Sequence, residues 1–134
     1  MNRYIAPSEL PINSDGSVFH LHLKPEHLAK RIIMVGDPAR VNVVASKFDQ
    51  GSIICDIQNR EYHTITGTYK GVPVTCLSHG IGNGNIDIVM TELDALVNVD
   101  LKERTELSDS KQLTIVRLGT SGSLQDDVPV GSFV

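Results

Sequence analysis

The fold is decided by the segment IIMVGDPAR, residues 32–40. Its apolar residues form a compact run that ends at Gly36, which is typical of a buried strand. Asp37 is a favoured helix N-cap and Pro38 a favoured first helical residue, so a helix is predicted to begin directly after the strand. This junction indicates an α/β domain with its sites at the carboxyl ends of the strands.

Further elements follow on the C-terminal side of this junction. Strand-like runs and a helical stripe of apolar residues predict strands over 52–58, 61–70, 72–79 and 113–118, and a second helix over 86–99. Lys70-Gly71 predicts a tight hairpin turn, residues 102–112 a surface loop, and residues 128–134 the start of another strand.

The order of these elements predicts an α/β fold with a mixed central sheet flanked by helices. Breakers such as Pro7, Pro11 and Pro25 indicate that residues 1–30 form an irregular N-terminal arm, and residues 31–134 the regular part of the domain. If the strands before Gly36, Gly80 and Gly119 run parallel, these glycines meet at one edge of the sheet.

The composition restricts the class of function. The chain has 134 residues, with 40% hydrophobic and 21% charged residues, which fits one globular domain. Its net charge is −4 and it has no run of Lys or Arg, which argues against nucleic-acid and membrane partners. It shows neither a signal peptide nor an apolar stretch of about 20 residues, so a cytoplasmic location is predicted.

The residues that bind metals or form disulfides are sparse. Cys55 and Cys76 lie in separate strand-like runs without CxxC spacing, so both are predicted to be reduced core residues. The five histidines lack HxxH or HExxH spacing, so no metal or other cofactor is expected.

Arg117 is the most informative charged residue, because it interrupts the apolar run of LTIVRLGTSG, residues 113–122. The run predicts a strand buried on both faces, and a buried guanidinium needs a partner. An ion pair with Asp or Glu and a bound phosphate are both open interpretations. The turn Gly119-Thr120-Ser121-Gly122 could hold phosphate or sugar oxygens, or could simply end the strand.

Two other arginines have alternative interpretations. Arg40 lies in the first turn of the predicted helix, where it could pair with Asp37 or hold an anion against the Gly36 backbone. Arg60 lies between two strands, where a solvated side chain is the default. The glycine-rich turn at residues 80–85 has GxGxG spacing, and tight strand-to-helix packing explains it as well as a ligand does.

Taken together, the motifs resemble those of the nucleoside phosphorylase family, and most closely its uridine phosphorylase branch. The resemblance runs from about residue 17 to the end. Its motifs are VFHL (18–21), GDPAR (36–40), REY (60–62), TGTYKG (66–71), SHGIG (78–82) and RLGTSG (117–122).

The resemblance implies a role for each site residue. Gly36, Arg40, Arg117 and Thr120 correspond to the phosphate-binding set of one subunit, which Arg60 completes from a neighbouring subunit. Arg117 and Thr120 are the implied catalytic residues. A second implied set contacts the nucleoside, with His20 reaching a neighbour's ribose: His20, Thr120, Ser121 and Gly122.

The implied reaction is phosphorolysis of uridine to uracil and ribose 1-phosphate, which makes the protein a pentosyltransferase with inorganic phosphate as co-substrate. Arginines suit an anionic nucleophile and an oxocarbenium-like transition state. In some relatives a monovalent cation lies near the residue that corresponds to Glu61, but Asn85 stands here where those relatives have a serine.

Family members continue well beyond this length, so the chain is expected to represent their N-terminal half. It would hold the phosphate half-site, be inactive alone, and form at least a homodimer in the complete protein. The alternatives are a catalytically silent phosphate-binding or oligomerisation fragment, and a purine nucleoside phosphorylase or nucleosidase of the same superfamily.

Overall fold

The computed structural model describes residues 3–134, so the first two residues of the predicted arm lie outside it. The strands predicted within residues 31–118 and both predicted helices are confirmed, with small differences in their ends. Their bounds are β1 Arg31–Val35, α1 Pro38–Ala45, β2 Cys55–Asn59, β3 Tyr62–Tyr69, β4 Val72–Ser78, α2 Asn83–Asn98, β5 Val99–Asp100, β6 Thr105–Glu106 and β7 Thr114–Leu118.

The main sheet has five strands in the order β2-β3-β4-β1-β7. β1 pairs parallel with both β4 and β7, whereas β2, β3 and β4 form an antiparallel meander. The predicted mixed sheet is therefore confirmed. The parallel strands end at one edge, called the rim below, and Gly36, Gly80 and Gly119 all follow strand ends there, as predicted.

The junction after β1 forms as its sequence dictates. The Asp37 carboxylate accepts a hydrogen bond of 2.8 Å from the Ala39 N–H, and Pro38 begins α1. Val41 and Ala45 of this helix are buried against Ile65 and Cys76 on one face of the sheet. The helix N-terminus therefore opens at the rim.

The opposite face of the sheet is covered by α2 and by the segment before β1. Leu93 of α2 packs in one cluster with Ile32, Leu77 and the arm residue Leu21. No helix within residues 3–134 combines the length and the apolar character needed to cross a membrane.

Both cysteines are buried free thiols, as predicted. Burial raises the pKa of the Cys76 thiol to about 12. Burial, with the Asp56 carboxylate adding to it, raises the pKa of the Cys55 thiol to about 11. Both side chains therefore behave as small apolar core residues.

The predicted burial of the last strand on both faces is wrong. β7 pairs with β1 on one side only and is an edge of the sheet within the described residues. Val116 and Leu118 are about half exposed, and Arg117 is exposed as well. An apolar run alone does not distinguish a central strand from an edge strand, because both pack some of their residues.

Two further predictions need correction. Residues 128–134 form no strand: they are irregular, and Val130 and Phe133 are fully exposed because no described strand lies beside them. The predicted loop at 102–112 contains β6, which pairs antiparallel with β5.

Candidate active site

The centre of the rim is a row of three neighbouring residues from three parallel strands. Val35 is in register with Ser78 on one side and with Leu118 on the other, so Gly36 lies between His79 and Gly119. The His79 N–H donates to the Val35 carbonyl at 2.9 Å, which continues the ladder past β4. Because two of the three residues lack a side chain, the row forms an open floor, called the glycine floor below.

Arg117 extends over this floor. Its Nε donates to His79 Nε2 at 3.1 Å. A Cβ on Gly119 would lie 2.9 Å from Arg117 Cζ, so the present position of the guanidinium depends on the glycine. Among residues 3–134, Arg117 forms no ion pair with a carboxylate. Within these residues, the structure therefore does not support an ion pair between Arg117 and an Asp or Glu.

His79 is the site residue that sequence reasoning missed. Its side chain is only 4% exposed. Burial, and then the Arg117 charge, lower the pKa of this imidazole. The neutral ring is thereby favoured, and its Nε2 lone pair can accept from Arg117. Its Nδ1 is buried without a hydrogen-bond partner in the described part of the chain. The sequence signal that could have identified His79 is its position between the end of a predicted strand and Gly80.

Arg40 lies at the rim in the first turn of α1. Its backbone N–H donates to the Asp37 carbonyl at 3.0 Å. The Asp37 carboxylate caps the Ala39 N–H instead of pairing with the Arg40 guanidinium, and residues 3–134 show no ion pair between the two side chains. The helix N-terminus beside Arg40 adds backbone N–H groups that favour an anion.

Arg60 lies at the same rim but far from Arg117. It occupies the turn between β2 and β3 with a φ of 54°, and its guanidinium lies over the Phe19 ring, 5.7 Å from the centroid. β4 and β1 separate β3 from β7, which amounts to about 14 Å of sheet. The structure therefore does not bring Arg60 and Arg117 together within the chain.

His20 lies beside Arg60 rather than beside Arg117. Its ring contacts the Phe19 ring edge-on at 5.0 Å between centroids, and Asn59 Nδ2 donates to its carbonyl at 2.8 Å. Phe19, His20 and Arg60 form what we call the turn cluster. The rim cluster consists of Gly36, Arg40, His79, Arg117 and Gly119.

Thr120, Ser121 and Gly122 follow the rim cluster in an exposed, irregular segment. Within residues 3–134, the two hydroxyls form no hydrogen bond with the rim cluster. The segment is adjacent to the floor through the chain itself, because Gly119 immediately precedes it.

The surroundings of Glu61 do not fit a monovalent cation. The Tyr62 hydroxyl donates to Asn85 Oδ1 at 3.1 Å, and Asn85 Nδ2 donates to Glu61 Oε1 at 3.0 Å. An amide N–H₂ group is a donor and cannot act as a metal ligand. The structure explains why the glycine-rich turn has a glycine at position 80. The backbone there has a φ of 68°, and an added Cβ would lie 2.8 Å from Asn85 Nδ2 and 2.9 Å from Glu61 Cγ.

Comparison with known proteins identifies the family of the chain. Residues 30–134 match the family model described as "Phosphorylase superfamily". The chain belongs to the phosphorylase superfamily. This membership confirms the predicted relationship.

Individual phosphorylases support the same conclusion. The chain is 32% identical to the uridine phosphorylase of Thermococcus kodakarensis over 127 residues, which is 95% of this chain and 40% of that protein. It is 34% identical to the DeoD-type purine nucleoside phosphorylase of Geobacillus stearothermophilus over 111 residues, 83% of this chain and 42% of that protein.

A solved phosphorylase structure has the same fold. The Trypanosoma brucei nucleoside phosphorylase, described as showing uridine phosphorylase activity, superposes with a TM-score of 0.82 at 42% identity. The match covers 90% of this chain and 41% of the trypanosome chain. This chain therefore spans about 40% of the length of the relatives that it matches.

Proposed function

We propose that this chain carries the phosphate half-site of a uridine phosphorylase, in which phosphate displaces uracil from uridine and ribose 1-phosphate is formed. The observation that carries the proposal is the position of Arg117 over the glycine floor. Its Nε is engaged by a neutral imidazole, and within residues 3–134 its two Nη groups have no hydrogen-bond partner. That fork matches the geometry of phosphate.

Arg40 and Gly36 would complete the inner side of the pocket. The α1 N-terminus and the Arg40 guanidinium both favour negative charge next to the floor, and Gly36 leaves room for an oxyanion. The nucleophile is already an anion, so the protein's task is to position it and to balance charge as the glycosidic bond breaks. In this proposal Thr120 supports the phosphate, and Ser121 and Gly122 line the nucleoside side.

The separation of the two clusters supports an oligomeric enzyme. β4 and β1 lie between β3, which follows the Arg60 turn, and β7, which carries Arg117, so Arg60 and Arg117 of one chain do not converge on one phosphate. We propose that the turn cluster of one copy faces the rim cluster of another, with Arg60 on the phosphate and His20 on the ribose. The complete protein is then at least a homodimer.

The choice of uracil as the leaving base rests on similarity to known phosphorylases rather than on the geometry of the rim. It is supported by the similarity to the Thermococcus and Trypanosoma proteins, whereas similarity to DeoD-type enzymes favours a purine nucleoside as the second candidate. A monovalent cation at Glu61 is not part of the proposal, because the Asn85 amide already donates to that carboxylate. A cytoplasmic location stays a prediction.

Phosphate binding tests the half-site directly. We expect inorganic phosphate to perturb the backbone amide resonances of residues 36–40 and 119–122 in the isolated chain. Arg117→Ala should weaken binding about 10- to 100-fold, as expected for loss of a charge-assisted contact. Arg31→Ala is the matched control, since Arg31 lies at the opposite end of β1. Equal effects of the two variants would contradict the proposed site.

The reaction is tested in a chimaera in which this chain replaces the corresponding N-terminal part of the Thermococcus kodakarensis uridine phosphorylase. We expect phosphate-dependent release of uracil that Arg117→Ala reduces. Cleavage of inosine in preference to uridine would favour the purine candidate. A folded chimaera without phosphate-dependent turnover of either nucleoside would support the silent alternative.

A further inference from the structure

Glu92 is a buried carboxylate that the site described above does not use. It lies on α2 with 3% of its surface exposed, although its position in the helical pattern lies off the apolar stripe. No Lys or Arg forms an ion pair with it within residues 3–134. A buried charge without such a partner needs several hydrogen-bond donors.

These donors all come from two consecutive residues of the N-terminal arm, His20 and Leu21. Glu92 Oε1 lies 2.7 Å from His20 Nδ1 and accepts from the His20 backbone N–H at 2.9 Å. Its Oε2 accepts from the Leu21 N–H at 2.8 Å. The carboxylate therefore binds both the backbone and the ring of one histidine, 72 residues away in sequence.

The contact with the ring determines which nitrogen carries the proton. An ionised carboxylate can only accept, so His20 Nδ1 must be the donor, and Nε2 of the neutral ring is left with a lone pair. No described residue forms a hydrogen bond with Nε2, and the side chain is 22% exposed. The ring thus presents an acceptor at its accessible end.

We infer that Glu92 is a positioning residue that holds His20 in the Nδ1–H tautomer, so that Nε2 accepts a hydrogen bond from a ligand hydroxyl. This inference rests on the proposed function for the identity of that ligand, a ribose held by a neighbouring copy. The hydroxyl donates a hydrogen bond to Nε2 and keeps its proton, so no proton transfer is involved. Glu92 acts only through His20.

A purely structural role would make the same backbone contacts without regard to the tautomer. The chain offers a control for that possibility. Asn59 also holds the segment, since its Nδ2 donates to the His20 carbonyl, but it does not touch the ring. Asn59→Ala should loosen the same backbone without changing the state of the imidazole.

The experiment is long-range ¹H–¹⁵N NMR of the histidine rings in the full chain, in alkaline buffer where a free imidazole is neutral. We expect His20 to show a protonated, pyrrole-type Nδ1 and a pyridine-type Nε2. Asn59→Ala should keep this pattern. Glu92→Gln should lose it, because an amide can present its N–H₂ group to the ring as readily as its oxygen. Glu92→Asp should keep part of it.

Each outcome decides the inference. A wild-type ring protonated on Nε2, or an unchanged Nδ1–H pattern in Glu92→Gln, overturns it. If Glu92→Gln fails to fold, the wild-type and Asn59→Ala spectra decide: the Nδ1–H pattern in both supports the inference, and its loss in Asn59→Ala overturns it. The measurement needs neither phosphate nor nucleoside, so its failure leaves the phosphate proposal standing, and failed phosphate binding does not affect it.

Discussion

At the scale of single residues, the position of Arg117 depends on the missing side chain of Gly119. This glycine leaves room for Arg117 to reach His79, and a Cβ at 119 would occupy the place of the guanidinium. The arginine was identifiable from the sequence because a charge stood in an apolar run. Its partner was not, because nothing in the spacing of residues 79 and 117 indicates that parallel strands place them side by side.

His79 should make the stability of the chain depend on pH. Burial and the Arg117 charge hold its folded-state pKa below the usual histidine value of about 6.5, so the unfolded chain takes up the proton first. Its contribution is complete above about pH 6.5 and declines as the pH falls toward the folded-state pKa. Urea unfolding midpoints across this range measure the effect.

Substitution isolates the contribution of this one histidine. His79→Gln should flatten the decline in the urea midpoint, and Arg117→Ala should make the decline smaller, because removing one of the two causes of the lowered pKa brings the folded-state pKa closer to the unfolded-state value. A decline of the same steepness in His79→Gln would assign the pH dependence to other groups.

Gly80→Ala should destabilise the chain by about 1–3 kcal/mol. The position has a φ of 68°, and the new methyl group would contact Asn85 and Glu61. Gly84→Ala is the control, since a Cβ there meets nothing within 4 Å and alanine is the better helix residue. Denaturant unfolding compares the two variants. A similar loss in the free energy of unfolding in both would show that the effect does not come from strain at Gly80.

At the scale of elements, β7 combines a functional residue with an exposed edge. It carries Arg117, yet within the described residues it has a neighbour on one side only, and Val116 and Leu118 are about half exposed. An unpaired edge with apolar side chains favours association through strand pairing. The same strand is thus central to the candidate site and the most exposed part of the sheet.

Val116→Lys should reduce self-association of the isolated chain without lowering its free energy of unfolding, because a charge on an edge strand opposes pairing. Sedimentation velocity over a range of concentrations measures the association. Val43→Lys is the control, since Val43 is comparably exposed on α1, away from any strand edge. An equal reduction in both variants would indicate general repulsion by charge rather than blocked pairing.

Most elements were predictable because their signals are local. Asp37-Pro38 specifies the start of α1, and Lys70-Gly71 forms the predicted hairpin, with φ of 51° and 76°. The burial of β7 was not predictable, because it depends on which strands lie beside it. Glu92 likewise lies off the helical stripe and is buried by the distant His20 segment, which helical periodicity does not describe.

At the scale of the whole molecule, the sheet has a separate core on each face, and α2 is the principal cover of one of them. Leu93→Ala should lower the free energy of unfolding by about 2–5 kcal/mol, the usual cost of truncating a buried leucine. Met90→Ala, on the exposed side of the same helix, should change it by less than about 0.5 kcal/mol. Comparable losses in both variants would contradict the assignment of faces.

The strand order also has a consequence for how the chain folds. β2, β3 and β4 follow one another through short turns, so their pairing closes only small loops. β1 joins β4 across about 40 residues and β7 across about 80, and such distant contacts cost more chain entropy before they form. The meander should therefore form early. The floor that holds Arg117 can exist only after β1 and β7 have both joined it, so the candidate anion site is expected to be among the last parts of the molecule to become structured.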